Sequence, residues 1–372
     1  MTSTGVSLGI VSDPKIRRFD RAAVRALALA LLLGVLLLAP APAQAEPDSF
    51  FGVVTQRKLE SRDYDRMRDG RFGSLRVALE WHSMQPRRGG EINWKQVDGV
   101  FEEATERGID VLPSIYGTPS WLHHNWRTLP VENAAQIEAW REFLDAAVSR
   151  YGRDGSFWVQ RPKLDYRPVR TWQVWNEPNI VTFARPVSPR RYGRLLTLSA
   201  ATIQAFDPDA RIATGGFYGS PPDGKGIDSA RFLHRMYKVP GVASSFDVAA
   251  VHPYAHSARE SLRRTNPIRT VLNRHGNVRR PILITELGWG SDSRTVFGKG
   301  SQRAQAAEVR AAYRIFLNQK RRLKLEGIYW FSWSDISSEV RTCAFCFATG
   351  FFDLDGNPKP AWHEVLNFTR GI

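Results

Sequence analysis

The chain reads as an α/β protein, a (β/α)8 TIM barrel in a single domain, and three observations carry that reading. Eight short apolar runs recur after residue 45, separated by longer amphipathic stretches. The runs are apolar almost throughout rather than at alternate positions, as parallel strands buried on both faces are. Eight such units fill about 320 residues, the size of one large barrel. A doubly wound sheet is the other arrangement this pattern allows, but no Gly-x-Gly-x-x-Gly follows the first run.

In chain order the strand candidates are "SFFGVV" (49–54), "LRVALEW" (75–81), "DVLPSIY" (110–116) and "TWQVWNE" (171–177). They continue with "RIATGGF" (211–217), "DVAAVHPY" (247–254), "PILITELGW" (281–289) and "GIYWFSW" (327–333). The clearest helical patterns cover 94–107, 133–151, 188–206, 301–321 and 361–369. In "WKQVDGVFEEATERGI", Val97, Val100, Phe101 and Ala104 share one face and Gly108 ends the helix. Residues 118–132 and 218–229 read as long loops, and no repeat or linker divides 46–372.

Residues 1–45 have the layout of a secretory signal peptide. Lys15, Arg17, Arg18, Arg21 and Arg25 precede the apolar "ALALALLLGVLLLA", and "PAPAQA" offers a small-x-small site ending at Ala45. Export is expected, secreted or at the cell surface, with an uncleaved membrane anchor as the alternative. No other stretch is long and apolar enough to span a bilayer. Five basic and two acidic residues lie in that segment, so about +12 of the chain's formal +15 remains without it. Such a surface attracts polyanions, acidic glycans among them, or reflects an arginine-rich proteome. No zinc-finger spacing or strand-borne stacking motif marks specific nucleic-acid recognition. In an exported chain, the only cysteines, Cys343 and Cys346, are expected to form a local disulfide; two are too few for structural zinc.

A barrel of this kind builds its active site at the carboxyl ends of its strands. There the sequence places Arg76 and Glu80 on the second strand, Asn176 and Glu177 after the fourth, and His252 and Tyr254 after the sixth. Glu286 ends the seventh, and Trp330, Trp333 and Asp335 accompany the eighth. Two carboxylates among Trp, Tyr, His and Arg suit a sugar, whose C–H faces stack on aromatic rings while its hydroxyls need donors and acceptors. A carboxyl on each side of a glycosidic bond supplies an acid and a nucleophile or base.

"WNEPN" followed by "ITELGW", with Glu177 and Glu286 109 residues apart, resembles the retaining glycoside hydrolases of clan A. The stretch from "LRVALEW" to "YGTPSW" is similar to family 39 members and related family 5-like enzymes, and "TGFFDLDGNPKPAW" to the segment before the last helix of many clan members. The resemblance implies a (β/α)8 hydrolase of O-glycosyl compounds acting on β-linked or arabinose-type glycosides. In it Glu177 is the acid/base and Glu286 the nucleophile. It further implies that Asn176 bonds the sugar 2-hydroxyl, and that Tyr254 and His252 contact the nucleophile or substrate. Arg76 matches an arginine that keeps the nucleophile ionised, and Trp333 or Trp330 the platform under the sugar, with Trp333 preferred because Asp335 follows it.

Several residues keep two readings. Trp121, with Trp126, His123 and His124, either lines a subsite or is ordinary loop surface. Glu80 is a rim carboxylate or an arginine's partner, and Asp353 with Asp355 is a turn rather than a full calcium loop. No cofactor or metal is expected: His252 is the only strand-end histidine, which leaves a metal-dependent hydrolase short of ligands. The alternative in another class is a non-catalytic glycan-binding barrel at the cell surface. The expected partner is a carbohydrate, with an acidic glycan one candidate.

Overall fold

The computed structural model describes Met1 and residues 48–339 and 346–371. Apart from Met1 the expected signal peptide lies outside them, and so does Cys343; Cys346 is disulfide-bonded. Nine parallel strand segments form one sheet. They are β1 (Phe51–Val54), β2 (Ser74–Glu80), β3 (Asp110–Tyr116), β4 (Thr171–Val174), β5 in two pieces (Arg211–Ala213 and Phe217–Tyr218), β6 (Ala249–His252), β7 (Ile282–Leu287) and β8 (Leu325–Phe331). β1 pairs with β2 and β8, neighbours follow in order on each side, and the two pieces of β5 end the sheet next to β4 and β6. A bridge between Ala213 and Val248 closes the ring. The architecture is a (β/α)8 barrel.

Among the described residues eight helices of eight or more residues alternate with the strands. These are α1 (Ser61–Asp69), α2 (Lys95–Thr105), α3 (Ala134–Tyr151), α4 (Pro189–Phe206), α5 (Ser229–Met236), α6 (Ala258–Arg274), α7 (Gln302–Asn318) and α8 (Pro360–Thr369). Each start has a chemical cause where a short polar side chain precedes it. Asn133, Ser188, Ser257 and Ser301 accept hydrogen bonds from the first-turn amides of α3, α4, α6 and α7. α2 buries Val97, Phe101 and Ala104, and Gly108 turns the chain toward β3 at φ 71°. All positions of β1, β6 and β7 are buried, as strands between core and helix layer must be.

Two strand expectations need correction, and both corrections concern the same place. "RIATGGF" is not continuous: it breaks after Ala213 and resumes at Phe217. A Cβ on Gly216 would stand 2.2 Å from His252 Nε2, so the glycines open the wall where that imidazole enters. "TWQVWNE" pairs only as far as Val174; Trp175 and Glu177 then take φ values of 69° and 39°. Left-handed backbone at non-glycine residues costs on the order of 1–3 kcal/mol each and is kept where surroundings fix it. Here Glu177 N–H is held by Gly215 O at 2.6 Å and Trp175 Nε1 by Phe183 O at 2.8 Å.

Candidate active site

The interior of the barrel carries a polar column in an apolar wall. On β2 the inward positions run Ser74, Arg76, Ala78, Glu80. The first two are buried, whereas Ala78 is exposed in mid-strand because the barrel opens to solvent above Arg76. β3 contributes Ser114 and Tyr116 beside Ala78 and Glu80, and β4 contributes Gln173 beside Ser114.

Arg76 is the hub. Its Nη1 donates to Glu286 Oε1 at 2.6 Å, its Nε to Gln173 Oε1 at 2.6 Å, and its Nη2 to Asn176 Oδ1 at 2.8 Å and Ser114 Oγ at 3.2 Å. Tyr254 donates its hydroxyl to the other oxygen of Glu286 at 2.8 Å. Glu286 is 8 % exposed and Glu177 6 %. Glu177 has a different neighbourhood: its Oε1 lies 2.7 Å from His252 Nδ1, and His252 Nε2 lies 2.9 Å from Thr285 Oγ1. An oxygen of each carboxylate and a nitrogen of His252 lie within 4.8 Å of one another.

This network accommodates one self-consistent set of protons. Gln173 presents its oxygen to Arg76 and its amide to Thr214 O and Thr285 Oγ1. Thr285, accepting there, has its hydroxyl hydrogen to give to His252 Nε2; in that tautomer the neutral ring keeps its hydrogen on Nδ1 and donates to Glu177 Oε1. Burial, and then the charge of Arg76, hold His252 well below its ordinary pKa, so it is neutral. With Oε1 accepting, a proton on Glu177 sits on Oε2. Burial and then the Glu286 charge raise Glu177 well above the usual carboxylate range. Burial raises Glu286 too, but the Arg76 charge and the hydrogen bonds from Tyr254 and Arg76 oppose it. Of the coupled pair, Glu286 ionises first and Glu177 keeps the proton.

The same atoms do not make a metal centre. His252 has both nitrogens engaged and Glu286 both oxygens, and Arg76 already supplies the cation at 2.6 Å.

The structure brings Arg76, Asn176, Glu177, His252, Tyr254 and Glu286 together. His252 is fully buried: it meets Glu177 from behind and stands 3.6 Å from Glu286 Oε2, and of the two expected contacts, nucleophile or substrate, only the first is within its reach. The aromatic expectations require correction. Trp330 and Trp333 are both 0 % exposed. Trp330 points outward from β8, bonds Thr349 O at 3.0 Å and stacks on Phe351. Trp333, beyond the end of β8 where alternation no longer applies, bonds Asp63 Oδ1 at 3.0 Å among Phe72, Phe352 and Trp362. The interior ring is Phe331, edge-on to Tyr254 at 6.1 Å. Trp121 gives its N–H to Gln85 O and meets Trp81 edge-on rather than joining the carboxylates.

Sequence reasoning also missed several members. Thr285 and Glu286 are neighbours, yet both reach the interior because the β7–β8 register slips between Ile284 and Leu287. Gln173 was legible as a polar residue inside "TWQV". At the mouth, Tyr116 donates to Glu80 at 2.7 Å and Trp126 stacks on His82. Tyr218, pushed up to about 12 by burial and then by the Glu177 charge, stands beside Tyr254. Glu80 therefore partners a tyrosine rather than an arginine. His123 and His124 stack on each other in the loop, and Asp353 closes a turn on the amides of Asp355 and Asn357. Asp335 is paired with the buried Lys359 at 3.0 Å.

No family model matches the chain. A β-xylosidase from Geobacillus stearothermophilus is 23% identical over 255 residues, which covers 62% of this chain and 45% of the xylosidase, less than half its length. A family 39 glycoside hydrolase from the gut symbiont Bacteroides cellulosilyticus superposes with a TM-score of 0.65 at 17% identity, over 88% of this chain and 65% of that one. A monomeric β-xylosidase from Caulobacter crescentus gives 0.59 at 17% identity, over 87% of this chain and 69% of that one. A subfamily 18 member of family 5 from Bifidobacterium longum subsp. infantis gives 0.61 at 19%, over 84% and 73%. The solved likenesses establish the barrel, and they fall in families 39 and 5, the ones the motifs resemble.

Proposed function

We propose that the protein is an exported glycoside hydrolase cleaving O-glycosidic bonds by double displacement, with Glu286 as nucleophile and Glu177 as acid/base. The observation that carries this is the pair itself: carboxylate oxygens within 4.8 Å, one group favoured to ionise first by Arg76 and Tyr254, the other held to its proton by burial. Retaining pairs stand roughly 5–5.5 Å apart, whereas inverting pairs need about 6.5–9.5 Å to admit a water. The names of the relatives, β-xylosidases among them, support a glycoside as substrate. The basic, apolar and small-residue segments of 1–45 support export.

In the first step Glu286 attacks the anomeric carbon as the glycosidic C–O bond breaks, and the proton on Glu177 Oε2 goes to the leaving oxygen. Asn176, with Oδ1 fixed by Arg76, turns its amide hydrogens toward the sugar hydroxyl beside that carbon. Once Glu286 is esterified its negative charge is gone, and with it one of the two causes that raise Glu177. Glu177 then becomes acidic enough to stay ionised, and it takes a proton from the water that releases the sugar. Mere glycan binding would leave this division of proton affinity unused.

Proton NMR of the first-formed sugar, across a panel of aryl glycosides and polysaccharides, tests the proposal. The product is expected in the anomeric configuration of the substrate. A first product of opposite configuration, or no turnover of any panel member, contradicts it.

The aromatic assignments give a second test. Phe331→Ala should lower kcat/KM on a hydrolysed aryl glycoside by roughly 10–100-fold through lost packing at the sugar. Trp333→Phe should leave kcat and KM in place and cost about 1–3 kcal/mol in chemical denaturation, because buried Asp63 loses a donor. The reverse pattern would return the platform to Trp333.

A further inference from the structure

Several arginines in this fold have acidic partners, for example Arg150 with Asp98, Arg211 with Glu326 and Arg310 with Glu364. One face gathers arginines without such partners around a cavity. Arg127, in the loop after β3, lies over the Trp126 ring at 5.2 Å, its Nε buried without a hydrogen-bond partner. Among the described residues it has no ion pair. Arg185 N–H donates to Arg127 O at 3.0 Å, joining this loop to the one after β4, and Arg191 on α4 joins it again through Glu132 at 2.6 Å. A cavity of about 680 Å³ lies at that junction. Arg190, Arg191 and Arg194 line it against a single carboxylate, Glu132, which Arg191 already engages. Arg190 and Arg194, one helical turn apart and exposed, have no ion pair among the described residues. Two positive charges in the cavity and a third at Arg127 are therefore uncompensated.

Unpaired guanidiniums one turn apart repel each other weakly in water, and an anion between them would relieve that repulsion. The rest of the cavity wall is apolar, with Val131, Val239 and Pro240 offering surface to carbon rather than charge. Both loops leave carboxyl ends of barrel strands, the end that carries Glu177 and Glu286. A ligand matching these features has anionic groups and apolar C–H faces. We propose that this face binds an acidic polysaccharide, carrying carboxylate or sulfate groups, and holds the polymer whose linkages the carboxylate pair cleaves. The polymer's being the substrate rests on the glycosidase reading above.

Affinity electrophoresis of the whole chain through gels containing polygalacturonate, dextran sulfate, neutral xylan or duplex DNA tests this, with a small aryl glycoside assayed in parallel. Wild type should be retarded by an acidic polysaccharide and not by xylan, and the retardation should vanish in about 1 M NaCl, where the screening length is roughly 3 Å. Retardation by polygalacturonate identifies a carboxylate as the ligand group, and by dextran sulfate a sulfate ester. Arg190→Glu/Arg194→Glu should weaken it by about tenfold or more, and Arg127→Gln by less, with aryl glycoside turnover unchanged. Equal retardation of wild type and the double variant, or DNA binding as tight as that of the acidic polysaccharides, overturns the proposal. Arginine-dependent retardation without turnover of any glycan would instead overturn the glycosidase reading and leave the binding site standing.

Discussion

Glu286→Gln should lower kcat on any hydrolysed glycoside by on the order of 10⁴-fold or more, because no other group within reach of Arg76 can attack the anomeric carbon. Gln preserves volume, its oxygen can still accept from Arg76 and its amide can donate to the Tyr254 hydroxyl oxygen, so the loss reports chemistry rather than collapse. Glu177→Gln should cost about 10²–10⁴-fold, the range of a lost general acid, and the cost should shrink as the leaving group becomes more acidic. Azide separates the two roles. It can enter the space left in Glu286→Gly and attack the sugar directly, so the glycosyl azide should have inverted configuration. In Glu177→Gly it attacks the ester on Glu286 instead, and the azide should be retained. Unchanged hydrolysis in both Gln variants, or the opposite stereochemistry, would remove the assignment. The alkaline limb follows the same logic: kcat/KM should fall as pH rises through the Glu177 pKa, which burial and Glu286 place above the ordinary carboxylate value.

What the sequence could show of this site follows from which interactions are local. The strands were legible because continuous apolar runs are needed for burial on both faces, and Glu177 and Glu286 because each ends such a run. The platform was not. Trp330 and Trp333 share a strand end, and Trp333 was preferred because Asp335 follows it, whereas β8 stops at Phe331 and both tryptophans are buried away from the carboxylates. Thr285 was hidden for a related reason, since the register slip beside it appears only when β7 meets β8. Gly216 was read as one more strand residue because its purpose is the approach of His252, which comes from a different strand. Helix α6 was obscured by Pro267, which lies inside a helix that tertiary packing nonetheless completes. Arg76 is the opposite case: a charge in the middle of "LRVALE" cannot be left unpaired in a core, so a buried acidic partner was required, and Glu286 is that partner.

Arg76→Met should therefore be the most damaging change outside the two carboxylates. The side chain is 6 % exposed and serves four acceptors, Glu286, Gln173, Asn176 and Ser114. Removing one partner of a buried pair costs roughly 3–5 kcal/mol when the remaining charge has no other compensation. Glu286 can reduce that cost by taking a proton, and this sets the pH dependence. Burial already raises its folded pKa, and losing the Arg76 charge and hydrogen bond raises it further. A carboxyl whose folded pKa lies above its unfolded one leaves stability intact at low pH and loses it as pH rises through the gap between the two values. The Tm difference between wild type and Arg76→Met should thus be smaller near about pH 5 than near about pH 8. Activity should move the other way. The nucleophile must be ionised, so the acidic limb of kcat/KM should shift to higher pH and the rate should fall most in acid. Arg76→Lys should restore part of the limb but not the rate, because a point charge cannot reach Gln173, Asn176 and Glu286 at once. An acidic limb that stays where it is in Arg76→Met would mean that Glu286 is not the ionising nucleophile.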